Sequence, residues 1–537
     1  MISITMADEC KKKRSPSFKL QVPGESEDKD KLLAKLRSVK DMMMEQAKQP
    51  INNYDVLDVV LDYYLSCGKN VKNKNDGPPF TTYLEAQVET DSKIKDAMFV
   101  STQLAASKLV EIAENHSNIC AETLVVKKTT MKGHVTVITY QCTGNKHRYT
   151  WASSPHMPQS GKFYVNYKIM HGFETSGMLP VAYERFCSAS LIGCMDIRQR
   201  NDHTEGYNEV IEEVYQQSLT DSMADEISHI EDLKSGGITV MSDARHGWRK
   251  NSKDTSVVVI GDKCHKVLAH QLVTKADDPC SQRHETLGTK AVMDQFEEKG
   301  IMVDMWVHDR NVSINNEIKR RGMINQNDLW HGIKNLKKVV KGVSCGAKKN
   351  HDKTWHTELD DKVNSIANHA HYAARHSNGS GQELRRRLDN AVHHYKNDHS
   401  NCPLDSRCKT DSNYEPSKKV IVSSFAEAKL SEAIHSSTIY INAEDFAYGK
   451  DSHYVESFNN VLNIFEDKRI SFSSQEYHKR AKLACLHWNE NVDREFTSEY
   501  RKPSAANRHN KVKKTYKDAT YCYRDKIWTT FVKKMTC

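Results

Sequence analysis

The sequence is poor in apolar residues and has no long apolar run. Only 38% of its 537 residues are hydrophobic, and the mean hydropathy is -0.70. A membrane-spanning helix needs about 20 consecutive apolar residues, which the sequence does not offer, so we predict no membrane protein. The first residues lack the apolar core of a signal peptide, and we expect none. Fixed-period internal repeats are absent as well.

A dense disulfide framework is missing too. Fourteen cysteines are scattered over the whole length, unlike those of a small secreted disulfide protein. A reduced compartment fits better, either the cytosol or the nucleus, and we expect the nucleus. The formal net charge of +8 is modest but concentrated at 11–14, at 334–342 and in the C-terminal tail. Such clusters attract phosphate polyanions, although a solvated face is the commoner explanation of a single lysine run.

A chain of this length is expected to contain about three or four structural units. Composition and hydrophobic periodicity divide it into a basic disordered tail (1–18), a helical module for DNA binding or dimerisation (19–68), a linker and helix (69–110), a β-hairpin zinc-finger-like module (111–158), a helical platform (159–235), the first half of an α/β core (236–345), an α-helical insertion (346–440), the second half of the core (441–495) and a basic C-terminal tail (496–537). For the helical module, a helix pair packed on the main body is the alternative.

Two short His/Cys pairs flank a predicted β-hairpin whose turn lies near Lys132-Gly133. His116 and Cys120 precede the hairpin, and Cys142 and His147 follow it. Small β modules hold one tetrahedral zinc through two pairs of this kind. Since a two-stranded unit has little core, a bound metal would supply the missing stability. The alternative is that unrelated cysteines and histidines lie near a hairpin.

A second group with zinc-ligand spacing lies at the end of a predicted helix in the insertion. It consists of His394, His399, Cys402 and Cys408. We predict a structural zinc here, and the competing explanation is polar loop histidines. Three nearby histidines could substitute for these ligands or face solvent: His369, His376 and His393.

The stretch from Gly236 to His331 combines predicted strands with one helix. Three apolar runs, the helix ETLGTKAVMDQFEEKG and a fourth apolar run follow one another. This β-β-β-α-β order is that of a ribonuclease-H-like core, so we predict an α/β fold. Asp243 ends the first strand and Asp309 ends the last one. Because neighbouring strand ends meet at one rim of a sheet, we expect these two carboxylates to lie close together.

Carboxylates in this position indicate a two-metal site for phosphoryl transfer. Hard Mg²⁺ or Mn²⁺ ions prefer carboxylate oxygens and water. Two such ions about 4 Å apart activate the attacking oxygen and stabilise the leaving oxygen. A third carboxylate, Glu456, follows far downstream in HYVESFNNVL. For a lone strand-end aspartate, helix capping or a turn is the usual explanation, but two in one β-β-β-α-β unit favour metal binding.

The segment Asp328-Leu-Trp-His331 resembles the D/C-x-x-H motif of eukaryotic cut-and-paste DNA transposases. The wider pattern is similar to the Kolobok and Mutator-like group over roughly residues 116–495. The motifs that carry the resemblance are SDARHGW, the pair Glu285-x-x-Gly288, VHDRNVSINNEIKRRG and HYVESFNNVLNIFEDKRISF. Two departures are present: HGWRKN replaces a glycine-rich, serine-containing run, and Ser117 stands where relatives often begin the upstream finger with a cysteine pair.

The resemblance implies a ribonuclease-H-like catalytic core split by an α-helical insertion, with small N-terminal helical and β-hairpin zinc-type modules. It implies Asp243, Asp309 and Glu456 as catalytic acids that bind two Mg²⁺ or Mn²⁺ ions per active site. His331 would lie at the same site near the scissile DNA, with Asp328 orienting it or touching the metal shell. A dimer or larger assembly is expected by analogy, since two element ends must be brought together.

Basic residues near these motifs are candidate phosphate contacts. Such contacts would be independent of DNA sequence and sensitive to salt. The candidates are Arg245, Lys334, Lys337, Lys338, Arg385, Arg386, Arg387, Lys468 and Arg469. A solvated face is the alternative for each run. The C-terminal tail, with aromatics between its basic residues, could bind DNA or a second subunit.

The sequence is therefore compatible with three functions. The first is a metal-dependent DDE transposase that cuts double-stranded DNA at terminal inverted repeats and joins the 3′-hydroxyl to target DNA. The second is a domesticated descendant that binds DNA or chromatin without cutting. The third is another RNase H-like nuclease. The presence of all three acids favours an enzyme over a protein that binds DNA without cutting. The long insertion and the D-x-x-H motif favour a transposase over another RNase H-like nuclease.

Overall fold

The computed structural model describes residues 3–6, 18–21, 100–157, 160–230, 236–248, 251–345, 356–468, 470–504 and 507–536. The chain divides into two compact units, Met1–Asp96 and Ala97–Cys537. In the first unit, β1 (Ser3–Met6) pairs antiparallel with β2 (Phe18–Gln21). A strand thus lies within the tail predicted to be disordered. Apart from β2, the predicted helical module lies outside the described residues, as does most of the predicted linker.

The second unit begins with a helix and a small antiparallel sheet. Helix α1 (Gln103–Ser117) is followed by β3 (Leu124–Lys132), β4 (Val135–Cys142) and β5 (Arg148–Ala152), paired in the order β3-β4-β5. The predicted hairpin therefore forms, with a third strand that the sequence did not indicate. Its turn contains Gly133 at φ 64°, a left-handed conformation that suits glycine.

Helices fill the segment predicted as a platform. They are α2 (Tyr164–Thr175), α3 (Pro180–Ala189), α4 (Ile197–Thr204) and α5 (Tyr207–Ser228). The last of these is the longest, and its buried face packs against the main sheet.

The main sheet has five strands and mixed direction. Its elements are β6 (Ile238–His246), β7 (Asp254–Gly261), β8 (Val267–Thr274), α6 (His284–Glu298), β9 (Val303–His308), α7 (Val312–Arg320) and β10 (Ile324–Asn327). The strand order is β10-β9-β6-β7-β8, with β6, β9 and β10 parallel and the β6-β7 and β7-β8 pairs antiparallel. The predicted β-β-β-α-β order is present, and β10 extends it.

The helices that follow comprise one at the end of the first half of the core and those of the insertion and of the second half of the core. They are α8 (Leu329–Cys345), α9 (Val363–Arg375), α10 (Gly381–Tyr395), α11 (Arg407–Thr410), α12 (Ser424–His435), α13 (Thr438–Ile441), α14 (His453–Phe465) and α15 (Ser474–Asn491). The insertion shares an apolar core with α8, which was predicted as part of the first half of the α/β core; this shared core is built by α8, α9, α10, α12 and α13. Among the described helices, none combines the length and the apolarity needed to span a bilayer.

Residues on the two sides of the sheet enter different apolar cores, because side chains alternate along a strand. On one side Met241 and Val307 pack with α5, α14, α15 and the C-terminal helix. On the other side Val240 and Trp306 pack with α6 and α7. The chain ends in a separate hairpin, β11 (Phe496–Ser504) and β12 (Asn507–Tyr516), followed by α16 (Cys522–Thr536).

Candidate active site

Three aspartates lie in one row where the parallel pairing of β6, β9 and β10 ends. The prediction that the first strand ends at Asp243 is wrong, because β6 continues to His246 and pairs there with β7. Ser242 pairs with His308, and His308 pairs with Asn327. The residue that follows each of these is an aspartate: Asp243, Asp309 and Asp328. Adjacent strands lie about 4.8 Å apart, so the three backbones are neighbours at this edge.

The side-chain alternation turns two of these acids towards α14. Met241 and Val307 belong to the core on the α14 side of the sheet, and Asp243 and Asp309 each follow two residues later, on the same side. The amide of Asn459, on α14, donates to Asp243 Oδ2 at 2.8 Å. Helix α14 also carries Glu456, which is exposed on its first turn. Glu456, the third predicted catalytic acid, is thus carried by a helix and not by the sheet that carries Asp243 and Asp309.

Burial and neighbouring negative charges both raise the pKa of Asp243. Burial raises the pKa of Asp243 to about 7, with the nearby Asp309 and Glu285 carboxylates adding to the shift. Hydrogen bonds from the Ala244 N–H and from Asn459 oppose it. Burial likewise raises the pKa of Asp309, where the charges of Asp328 and Glu456 add to the shift and His331 opposes it. The acids therefore repel one another across a partly dry edge.

His331 lies between two of these aspartates. Its Nδ1 is 3.3 Å from Asp309 Oδ1 and 3.2 Å from Asp328 Oδ1. The ligand atoms of Asp309, Asp328 and His331 all lie within 4.8 Å of one another. This group could hold a metal ion, although one of its members already has other partners.

That member is Asp328. Each of its two carboxylate oxygens accepts hydrogen bonds at the start of a helix. Oδ1 accepts from the His331 N–H at 2.8 Å, at the start of α8. Oδ2 accepts from the N–H and the hydroxyl of Ser452 at 2.8 and 2.7 Å, immediately before α14. Asp328 is also buried. Its geometry suits holding His331 and α14 in place better than binding a metal ion.

Glu285 is a further acid at this site that we did not single out as a catalytic candidate. It lies in the first turn of α6 and accepts from Asn311 Nδ2 at 3.0 Å. Burial raises its pKa, and the Asp309 carboxylate adds to the shift. Gly288 lets α6 approach the sheet, since a Cβ there would lie 2.6 Å from a Val257 methyl. The Glu285-x-x-Gly288 spacing was the signal that could have identified Glu285.

The predicted DNA contacts divide into buried and exposed residues. Arg245 is buried and donates to Glu466 Oε2 at 3.0 Å and to Asn463 Oδ1 at 2.6 Å. This placement contradicts a DNA contact, because the guanidinium is used inside the protein. Lys468 is exposed. Burial of part of its side chain and the Arg245 guanidinium lower its pKa, and the nearby Asp243 carboxylate opposes this shift. Arg469 lies outside the described residues.

Helix α8 presents an exposed basic face beside His331. Lys334, Lys337 and Lys338 are all exposed along it. Trp330 is 48% exposed, and the Lys334 ammonium lies 4.5 Å from its ring centroid. Such a combination of lysines with an open aromatic ring suits contact with a nucleic acid.

The arginine run on α10 is largely committed to internal contacts. Arg385 pairs with Glu444 at 2.7 Å and donates to the Tyr440 carbonyl. Arg386 and Arg387 both pair with Glu383 at 2.7 Å. These three residues thus order the insertion in this structure, and only Arg386 is more than half exposed.

The predicted ligands of the first zinc site converge. His116, Cys120, Cys142 and His147 bring their ligand atoms within 4.8 Å of one another. The two sulfurs are 3.6 Å apart, close to the ~3.8 Å expected for two thiolates on one tetrahedral zinc. His116 Nε2 and His147 Nδ1 are buried without a hydrogen-bond partner among the described residues. Such orphaned nitrogens suit metal ligands.

The second set also converges, at the end of α10. The ligand atoms of His394, His399, Cys402 and Cys408 lie within 4.8 Å of one another. The two Nδ1 atoms are 3.1 Å apart, and Cys402 Sγ is 3.5 Å from that of His394. The Nε2 atoms of His394 and His399 face Tyr414 and Asn397, at 3.3 and 3.0 Å, as outer partners of metal-bound histidines do.

The three substitute histidines predicted nearby have other partners. His369 bonds the Arg387 carbonyl, His376 bonds the Tyr372 carbonyl and His393 pairs with Asp398. They lie outside the four-ligand group.

These features define a mixed α/β protein with an acidic site at the carboxyl edge of its parallel strands. A family model described as Mutator-like transposase matches residues 97–408, which is more than half of the chain. The chain therefore belongs to the Mutator-like transposase family, and DNA binding and DNA processing are the general activities that this family implies. The match includes Asp243, Asp309 and Asp328 and ends before Glu456. No match to a curated protein was found.

Proposed function

We propose that this protein is a DDE-type transposase of the D/CxxH, Kolobok and Mutator-like group. It would cut double-stranded DNA at transposon ends and join the freed 3′-hydroxyl to target DNA. The observation that carries this proposal is the row of Asp243, Asp309 and Asp328, which faces the helix of Glu456. The β-β-β-α-β order and the helices on both faces of the sheet support an RNase H-like core.

The donors at this edge fit Mg²⁺ or Mn²⁺. Asp243, Asp309 and Glu456 would hold two ions, since hard cations prefer carboxylate oxygens. The repulsion among these acids favours cation binding, because a bound cation relieves it. When bound, the ions supply activation of the attacking oxygen and stabilisation of the leaving oxygen.

The chain's own residues would orient the DNA. His331 lies 3.3 Å from Asp309, where its ring can contact a phosphate beside the acids. Lys468, on the same side, and the lysines of α8 would bind flanking phosphates. Asp328 would act through position, by fixing the start of α8 and of α14.

We further propose one structural zinc in each His/Cys cluster. The close sulfur and nitrogen atoms and the orphaned ring nitrogens support the first site. The paired Nδ1 atoms with their outer partners support the second. Zinc would stabilise the three-stranded sheet and the end of α10.

The cellular setting follows from the proposed substrate. Because that substrate is chromosomal DNA, we place the protein in the nucleus. Because two element ends must be joined, we expect a dimer or a larger assembly.

The test is cleavage of a duplex that carries a terminal inverted repeat, with Mg²⁺ or Mn²⁺. We expect Asp243→Asn, Asp309→Asn and Glu456→Gln to abolish cleavage, while Asp277→Asn, in the turn after β8, keeps it. Without metal, Asp243→Asn should be at least as stable as the wild type, because it removes a repelled charge. Equal cleavage by the wild type and the three site variants would overturn the proposal. DNA binding without cleavage by the wild type would favour a non-cutting DNA-binding protein.

A further inference from the structure

We infer that the C-terminal hairpin, β11 and β12, is a DNA-binding arm that lies along the duplex leading to the active site. This inference rests on the proposed function, since it takes the substrate to be double-stranded DNA. It adds a surface that is separate from α8 and from the acids.

The hairpin stands clear of the other sheets. Its strands pair only with each other in the described part of the chain. The described side chains of 495–500 and 512–517 are all exposed. Three aromatic residues lie among them, Phe496, Tyr500 and Tyr516, with exposed fractions of 46%, 50% and 52%. An isolated two-stranded hairpin is marginally stable in water, so this one would gain order from a partner.

Its charge indicates what that partner is. From Arg494 to Lys517 the sequence has eight lysines and arginines but only two glutamates. Both glutamates are already paired, Glu495 with Lys517 and Glu499 with Lys514 at 3.6 Å. The segment 494–517, which contains the hairpin, therefore carries a formal charge of +6, against +8 for the whole chain. A polyanion complements this surface, and a second copy of the same arm would be repelled.

The dimensions fit a DNA duplex. Strands of 9 and 10 residues extend roughly 30 Å at about 3.3 Å per residue. One turn of duplex rises about 34 Å, and a two-stranded ribbon fits the ~12 Å width of the major groove. The Lys514 ammonium lies 4.1 Å from the Phe496 ring centroid, so apolar and cationic groups share one face.

The root of the hairpin is fixed beside the helix of Glu456. Tyr454, two residues before Glu456 on α14, donates to Asp493 Oδ1 at 3.3 Å. The Tyr454 ring stacks on His265 at 3.7 Å, and His265 bonds Asp493 as well. At the other end, Thr520 N–H donates to Asn491 Oδ1 at 2.9 Å. These contacts fix the root of the exposed arm to the first turn of the helix that carries Glu456.

The test compares two double variants of the full-length protein, each of which replaces two consecutive lysines. The arm variant is Lys513→Ala with Lys514→Ala, and the control is Lys533→Ala with Lys534→Ala on α16. Both pairs are exposed, and both variants lose the same charge. Affinity for a 30-base-pair duplex is measured by fluorescence anisotropy without divalent metal, over a range of salt concentrations. Metal-dependent cleavage by the wild type is measured in parallel, and thermal unfolding reports folding.

We expect the arm variant to bind about tenfold more weakly, with the slope of log affinity against log salt reduced by about 2. The control should change the affinity less than twofold. Unchanged affinity of the arm variant, or equal losses of affinity in both variants, would overturn the inference that the hairpin binds DNA. If the wild type still cleaves DNA, the proposed transposase function would stand. A wild type that neither binds nor cuts would overturn the proposed function instead. A lower oligomeric mass of the arm variant with unchanged DNA affinity would make the hairpin a protein interface and overturn the inference.

Discussion

Asp328 and Ser452 connect the first half of the site to the helix that carries its last acid. The Asp328 carboxylate accepts both the N–H and the hydroxyl of Ser452, although the two residues are 124 positions apart. Its other oxygen accepts the His331 N–H. This buried carboxylate therefore helps to set the position of Glu456 relative to Asp309 and joins the two ends of the helical insertion. The Leu329 N–H, which donates to the Lys450 carbonyl at 3.0 Å, joins the same two ends.

Replacing Ser452 by alanine should slow DNA cleavage by more than its effect on stability suggests. The change removes one hydrogen bond, which costs about 1 kcal/mol of unfolding free energy. It also loosens the start of α14, and small displacements of catalytic groups can cost roughly tenfold or more in rate. Ser423→Ala is the matched control, because that hydroxyl accepts the Ala426 N–H at the start of α12. Similar unfolding curves with equal cleavage rates would contradict a positioning role.

Arg245→Ala should lower the stability of the fold, whereas alanine at the lysines of α8 should weaken DNA binding. Arg245 and Glu466 are 2% and 1% exposed, and breaking a buried pair by removing one partner costs about 3–5 kcal/mol. Lys337→Ala with Lys338→Ala should change stability by less than about 1 kcal/mol. That double variant should weaken DNA binding and reduce its salt dependence. Chemical denaturation and anisotropy measure the two effects, and the reverse outcome would restore Arg245 as a DNA contact.

The sequence allowed Asp243 and Asp309 to be predicted because the runs that precede them are apolar, although β6 continues past Asp243 to His246. Asp243 and Asp309 follow runs that can only be buried in a sheet, and they lie side by side as expected. The role of Asp328 was harder to predict. Its strand, Ile324–Asn327, ends in polar residues and lacks an apolar pattern. Only pairing with β9 places Asp328 in the row.

The remaining differences arise from contacts between distant residues. Sequence shows that Arg245 is basic but not that Glu466, 221 residues later, neutralises it inside the protein. The hairpin of β11 and β12 was also missed, because its strands are charged and alternate weakly. Zinc-ligand spacing was informative, since short pairs constrain geometry locally. Local patterns therefore predicted elements and the two His/Cys clusters, whereas long-range pairing decided which charges are exposed.

Metal analysis should find two zinc ions per chain. Cys142→Ser and Cys402→Ser should each lower the content by one, because each replaces one of four ligands in a separate cluster. Cys280→Ser lies outside both clusters and should leave the content unchanged. A chelator should lower the unfolding temperature of the wild type, since metal binding stabilises the folded state. Protein without zinc after purification in zinc-containing medium would overturn both sites.

Acid should destabilise the fold through buried neutral histidines, of which His270 is the clearest. Burial lowers the pKa of His270 to about 3, with His478 and Lys482 adding to the shift. Neither of its ring nitrogens has a hydrogen-bond partner among the described residues. Burial likewise lowers the pKa values of His134 and His171 to about 4.

The direction in which stability changes with pH follows from proton binding. In the unfolded chain a histidine takes up a proton below pH ~6.5, whereas folded His270 stays neutral down to about pH 3. The unfolded state therefore binds more protons between these values, and stability falls as the pH decreases from about 6.5. For His270 the loss reaches about 2 kcal/mol at pH 5.

Replacing His270 by leucine should remove this part of the pH dependence. Leucine has a similar size and needs no hydrogen bond, so the variant should be as stable as the wild type at pH 7.5 and more stable at pH 5. His376→Leu, which changes an exposed histidine, is the control and should keep the wild-type slope. Protonation of zinc ligands affects all three proteins alike and cancels in the comparison. Denaturation curves at both pH values measure the slopes, and equal slopes for His270→Leu and the wild type would show that His270 does not remain neutral in the folded state.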